Sequence, residues 1–216
     1  MLEKFAYLRL TTCTLVLLIV LGIALIGGIV LPASWGEENS PIEWTQVIIL
    51  SFVCLTTIMA RIYGIGTLVS RKLFLWSTPI WMTAIGRELS WGRVLYVDST
   101  GHFIKLTNLW YGSYVHFFIA CELIITILGL LNYGLITEIR NWIHHGTIPL
   151  LELLIAFSAG IVATMVEHYS FGIFGPNGEL FEELAELVCY SGLLLLMIDL
   201  GFNKKIQPTL GENVSL

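Results

Sequence analysis

Acidic and imidazole side chains recur in this chain beside long apolar runs. Glu88 closes one run, His116 and Glu122 lie early in the next, Glu167 and His168 close another, and Glu182, Glu183 and Glu186 open the last. Carboxylates and imidazoles contributed by separate helices are the donor set from which a helical bundle builds a zinc, iron or manganese site. The same groups serve as general acids and bases. The candidate metal ligands are Glu88, Glu122, His168, Glu182 and Glu186, and the candidate catalytic groups are Glu88, Glu186 and His168. Arg87, Arg93 and Trp91 are the candidate substrate-binding residues, because arginine grips a phosphate bidentately. The cofactor this implies is a divalent metal.

Helical spacing sharpens the set. Glu179, Glu182, Glu186 and Cys189 follow a 3-4-3 pattern and form one stripe, with Glu183 one step round. Trp81, Glu88 and Trp91 share a face, whereas His116 points about 120° away from Glu122. Clustered carboxylates must share protons, bind cations or pair with arginine, so a structural network around Arg87 and Arg93 and a proton or cation path stand beside the metal reading. Glu179 and Glu182 at a helix start also complement the helix dipole. No His-Glu-x-x-His, Glu-x-x-His or Gly-x-Ser-x-Gly occurs, and Glu182-Glu183 lacks the arginine four residues on that a Glu-Glu-x-x-x-Arg protease motif needs.

The elements that must carry these residues follow from composition. The chain has 216 residues, 56% hydrophobic and 12% charged, with a mean hydropathy of +0.81. A soluble domain carries about 25% charged residues. Runs of this length and apolarity predict an all-α, polytopic membrane protein, a single domain of six transmembrane helices over 11–33, 42–60, 73–91, 114–136, 147–168 and 180–202. Pro79 falls inside the third, which membrane helices tolerate. The longest loop, 92–113, holds two short β-prone pieces around Asp98-Ser99-Thr100-Gly101, the pattern of a small hairpin. Ala156, Gly160 and Thr164, four apart, predict a close helix approach. Trp35, Trp44, Trp91, Trp110 and Trp142 fit interfacial belts. Cys13, Cys54, Cys121 and Cys189 lie in apolar runs as small hydrophobes. Nothing in the composition leaves room for a nucleic-acid-binding domain.

Basic residues set the orientation. With the N-terminus cytoplasmic, eight fall inside (Lys4, Arg9, Arg61, Arg71, Lys72, Arg140, Lys204, Lys205) and three outside (Arg87, Arg93, Lys105). Both termini are therefore expected in the cytoplasm, with the acidic layer under the outer face. Glu152 and Asp199 fall near the inner face, within reach of Arg140, Lys204 or Lys205.

The stretch Glu88-Leu89-Ser90-Trp91-Gly92-Arg93 resembles a Glu-Glu-Ile-Ser-Trp-Gly-Gln-Arg segment of uncharacterised multi-pass bacterial membrane proteins, where it also ends a membrane helix. Here Arg87 replaces the first Glu and the final Arg comes one place earlier. The resemblance spans under a tenth of the chain and implies a bacterial inner-membrane protein in which Glu88 and Trp91 matter. The expected function is a metal- or acid/base-dependent enzyme acting on a lipid or lipid-linked substrate at the outer leaflet. The alternatives are a proton- or cation-coupled transporter and a non-catalytic subunit or assembly factor. Expected partners are membrane lipids, and a protein partner or a second copy of the chain.

Overall fold

The first two long helices begin where the chain supplies acceptors for their unpaired N–H groups. In this computed structural model, which describes residues 10–64, 68–98, 102–144, 148–169 and 177–202, helix α1 (Thr12–Val30) opens with a capping box. The Thr11 hydroxyl accepts from the Thr14 amide, and the Thr14 hydroxyl accepts from the Thr11 amide. Helix α2 (Pro41–Ile62) has Ser40 as its N-cap and Pro41 at its first position. Helix α3 (Leu68–Glu88) follows and contains Pro79. Helices α4 (Gly112–Asn132), α5 (Leu135–His144), α6 (Leu150–Tyr169) and α7 (Gly178–Phe202) complete the bundle. Lys4, Arg9, His145, Lys204 and Lys205 lie outside the described residues, as does most of the turn before α7.

Helix α7 is the centre. It packs against α6, α2 and α1, and the short 3-10 turn 33–36 lies across its start. Within its most apolar stretch 44% of residues are buried inside the protein, against 17% for α4, which turns most of its surface outward. One apolar core joins Leu17 and Ala24 of α1 to Ile42 of α2 and to Leu180, Leu184 and Val188 of α7. Close approach needs small residues. A Cβ on Gly192 would sit 2.8 Å from the Ala156 Cβ, one on Gly160 3.2 Å from the Cys189 sulfur, and one on Gly36 2.4 Å from the Leu180 amide nitrogen. Ala156 and Gly160 of the expected small-residue stripe thus face α7.

Among the described residues five helices, α1, α2, α4, α6 and α7, are long and apolar enough to cross a membrane. Exposed side chains such as Ile124, Ile125, Ile127 and Leu128 of α4 would form a large apolar patch in water, which the hydrocarbon of a bilayer removes. The sixth expected span, α3, has the length at 21 residues but is too polar on composition, with Arg71, Lys72, Arg87 and Glu88 at its ends. It packs against α2, α4 and α5, and the Thr57 and Thr78 hydroxyls bond across the α2–α3 contact at 3.1 Å.

Two elements differ from expectation. The run 114–136 is not one helix: α4 stops at Asn132, Gly134 turns the chain at φ +64°, and α5 begins at Leu135. Leu135, Glu138 and Trp142 form the buried face of α5, the Ser70 hydroxyl donates to Glu138 at 2.6 Å, and the Trp142 ring packs tilted against Phe74. The hairpin of the long loop is a single antiparallel bridge, Val97 to Phe103, with residues 99–101 outside the described set.

Candidate functional site

The site forms where α3 ends and α7 and α2 begin. Glu88 is the last residue of α3, and Glu183 and Glu186 lie on successive turns of α7. One carboxylate oxygen from each lies within 4.8 Å of the others. Glu88 and Glu186 are buried, Glu183 half-buried. Each has one neighbour that fixes it. The Tyr190 hydroxyl donates to Glu88 Oε1 at 2.7 Å. Arg87 Nη2 donates to Glu186 Oε1 at 2.5 Å and forms the ion pair of the site. Gln46 Nε2 donates at 2.8 Å to both the backbone oxygen and the carboxylate of Glu183. Gln46 is fully buried, and its Oε1 has no hydrogen-bond partner among the described residues. Glu43, one turn before Gln46, lies within electrostatic range of Glu88 and Glu183.

The charge balance follows from these contacts. One guanidinium faces three carboxylates, which leaves two negative charges uncompensated. At an effective dielectric of 20, two carboxylates about 5 Å apart repel by about 3 kcal/mol. A helical bundle carries such a cluster only with protons or a cation shared among the oxygens. An all-carboxylate set of this kind suits a hard divalent ion such as magnesium, calcium or manganese.

A left-handed turn holds the end of α3. Ser90, Trp91 and Gly92 have φ of 44°, 59° and 83°, rare values for the two non-glycine residues. The Trp91 ring lies over Gly86, where a Cβ would come within 2.6 Å, and the Tyr111 hydroxyl donates to the Trp91 carbonyl at 3.1 Å. The turn swings Ser90 and Arg93 onto the loop before α2. There the Ser90 hydroxyl donates to Glu38 Oε1 at 3.0 Å and Arg93 pairs with the same carboxylate. Glu88 is thereby fixed by the strained turn that follows it.

Of the residues expected from sequence, the structure brings Glu88, Glu186 and Arg87 together. Glu183, which the sequence places in the acidic layer but not among the candidate ligands, joins them, as do Gln46 and Tyr190, which the sequence does not single out. Arg93 and Trp91 shape the turn below Glu88, with Arg93 engaged by Glu38. Glu182 is half-buried one step round α7, in electrostatic range of Glu167, Glu186 and Arg87. His168 is exposed on the last turn of α6, its Nδ1 3.0 Å from the Thr164 carbonyl and 3.5 Å from Glu167. Glu122 is half-buried on α4, which packs on α3 and α5 rather than α7.

Compared with known proteins, the chain matches no family model, and no curated protein or solved structure is similar to it at a significant level. Fold and site together define a multi-pass α-helical membrane protein with a carboxylate cluster at one end of its bundle.

Proposed function

We propose that the protein is a metal-dependent enzyme acting on a lipid or lipid-linked substrate, with Glu88, Glu183 and Glu186 as ligands of a divalent cation. The observation that carries this is the convergence of those three carboxylates within 4.8 Å against a single arginine. Tyr190 and Gln46 would orient the ligands, as outer-shell partners do. The Arg87 side chain is 55% exposed, so the guanidinium keeps a face for an anionic group of the substrate while it pairs with Glu186. A bound divalent ion would polarise a phosphoryl or acyl oxygen and acidify a water.

The lipid character of the substrate rests on the membrane-crossing helices that hold the cluster. An apolar groove of about 450 Å³ lies between α1, α6 and α7, on the side of α7 turned away from Glu183 and Glu186, lined by Leu21, Ala24, Ile155, Ala159, Phe181 and Val188. An acyl or prenyl chain suits such a groove. In this reading α3 crosses the membrane as a sixth span, both termini are cytoplasmic, and the cluster faces outward in a bacterial inner membrane.

The test is metal analysis of the purified protein, with Mn²⁺ binding followed by electron paramagnetic resonance in the wild type and in Glu88→Gln and Glu186→Gln. Stoichiometric binding that both substitutions abolish supports the reading. Absence of binding, with the ion pair and hydrogen bonds intact, assigns the cluster to a structural network built around Arg87.

A further inference from the structure

A second polar cluster lies at the opposite end of α7, and the proposed enzyme site does not use it. It joins the start of α1, the first turn of α6 and the last turns of α7. Glu152 is fully buried, Asp199 is 3% exposed and Thr14 1%. The Thr11 hydroxyl lies 2.8 Å from Asp199 Oδ2, 3.1 Å from Glu152 Oε1 and 3.1 Å from the Thr14 hydroxyl. The Thr14 hydroxyl donates to the same Glu152 oxygen. The Cys13 side chain lies within electrostatic range of Asp199 and Glu152. Each threonine hydroxyl already accepts a backbone amide in the capping box, so each turns its single hydrogen toward the carboxylates.

The second oxygen of Glu152 has a different environment. Oε2 is enclosed and has no hydrogen-bond partner among the described residues. A buried carboxylate oxygen without a donor is costly, and here it sits on a group whose other oxygen already lies among two hydroxyls and a second carboxylate.

We propose that Glu152, Asp199, Thr11 and Thr14 form a site for one hard cation, with Glu152 Oε2 among its ligands. The donor set is all oxygen, which selects sodium, magnesium or calcium over zinc or copper. Magnesium keeps several waters and strict octahedral geometry. The complete burial of Glu152 leaves little space for such waters, so sodium or calcium fits better. The bound ion links α1 to α6, two helices that otherwise pack mainly through α7. Its position is the far end of the groove those two helices border, so occupancy would hold the groove walls together. The site shares no residue with the Glu88 cluster, and either reading can fail without the other.

The experiment uses the full-length protein in detergent. Unfolding is followed against Na⁺, Ca²⁺ and Mg²⁺ at constant ionic strength with choline chloride as the balance, and bound ⁴⁵Ca²⁺ and ²²Na⁺ are measured directly, both in a Glu88→Gln and Glu186→Gln background that removes ligands of the other cluster. The expected result is saturable binding of one ion per chain, with a rise of the unfolding midpoint on the order of 5 °C at about a hundredfold excess over the dissociation constant. Adding Glu152→Gln and Asp199→Asn removes that rise. Equal stability in all salts with no bound radiocation overturns the proposal and leaves a proton shared between the two acids. A full cation response after adding Glu152→Gln and Asp199→Asn overturns it equally. Direct binding to the background protein decides the matter if the added changes prevent folding.

Discussion

Tyr190 of α7 donates its hydroxyl to Glu88 of α3 at 2.7 Å, and through that bond the two helices that carry the carboxylate cluster are joined inside the bundle. Arg87, next to Glu88, reaches back to Glu186 on α7. The cluster is thus closed by two reciprocal contacts between the same pair of helices.

Tyr190→Phe removes the donor and leaves the ring, which is 8% exposed, in place. A hydrogen bond to a charged group contributes about 1.5–3 kcal/mol. The unfolding midpoint is expected to fall by roughly 4–8 °C for a chain of this size. An unchanged midpoint would show that the bond carries no net stability.

The three acids repel one another when no cation is bound, so neutralising one has opposite effects in the two states. Glu183→Gln is expected to raise the stability of the metal-free protein by about 1 kcal/mol. The same change should weaken Mn²⁺ binding on the order of tenfold or more. Paired unfolding curves, with chelator and with Mn²⁺, read both signs in one preparation.

His168 is exposed, with its Nδ1 3.0 Å from the Thr164 carbonyl of its own helix. His168→Ala should leave Mn²⁺ affinity and midpoint within about 0.5 kcal/mol of wild type, as for other exposed substitutions. A loss of metal binding as large as that of Glu186→Gln would place this imidazole in the site.

Gly86 makes room for the Trp91 ring. A Cβ there pushes the ring out, and with it the left-handed turn that fixes Glu88. Gly86→Ala is therefore expected to lower metal affinity more than it lowers stability. Titrating Mn²⁺ beside a thermal melt separates the two.

Glycines elsewhere provide a control for packing. Gly36→Ala drives a methyl into the backbone of Leu180 and should cost about 3 kcal/mol, the upper range for an overpacked site. Gly22 has nothing within 4 Å of its missing Cβ. Gly22→Ala should be neutral or stabilise by about 0.5–1 kcal/mol through helix propensity. Thermal melts of the two variants check the difference in sign.

Much of the architecture is legible from local patterns. The apolar runs dictate helices that belong in a bilayer, because only there can so many exposed leucines and isoleucines avoid water. Caps such as Thr11 and Ser40 mark helix starts. The spacing of Glu88 and Glu186 within their runs already places both at one depth. The short helix α5 escaped, because the apolar character of α4 continues past Asn132 and only the positive φ of Gly134 separates the two.

What the chain pattern leaves open is the rotation of each helix about its own axis. Spacing on α7 offers the stripe Glu179, Glu182, Glu186 and Cys189 as readily as the face Glu183, Glu186 and Tyr190. Packing selects the second. Gly192 against Ala156 and Gly36 against Leu180 lock the angle of α7, so that 183, 186 and 190 turn toward α2 and α3. The same long-range packing keeps Glu122 on α4, beyond the reach of α7, and buries Glu152 against a threonine cap 138 residues earlier. Sequence alone determines the class of protein and the depth of its acids, since both are local consequences of hydropathy. Which acids meet is decided only when small residues let particular helix faces touch.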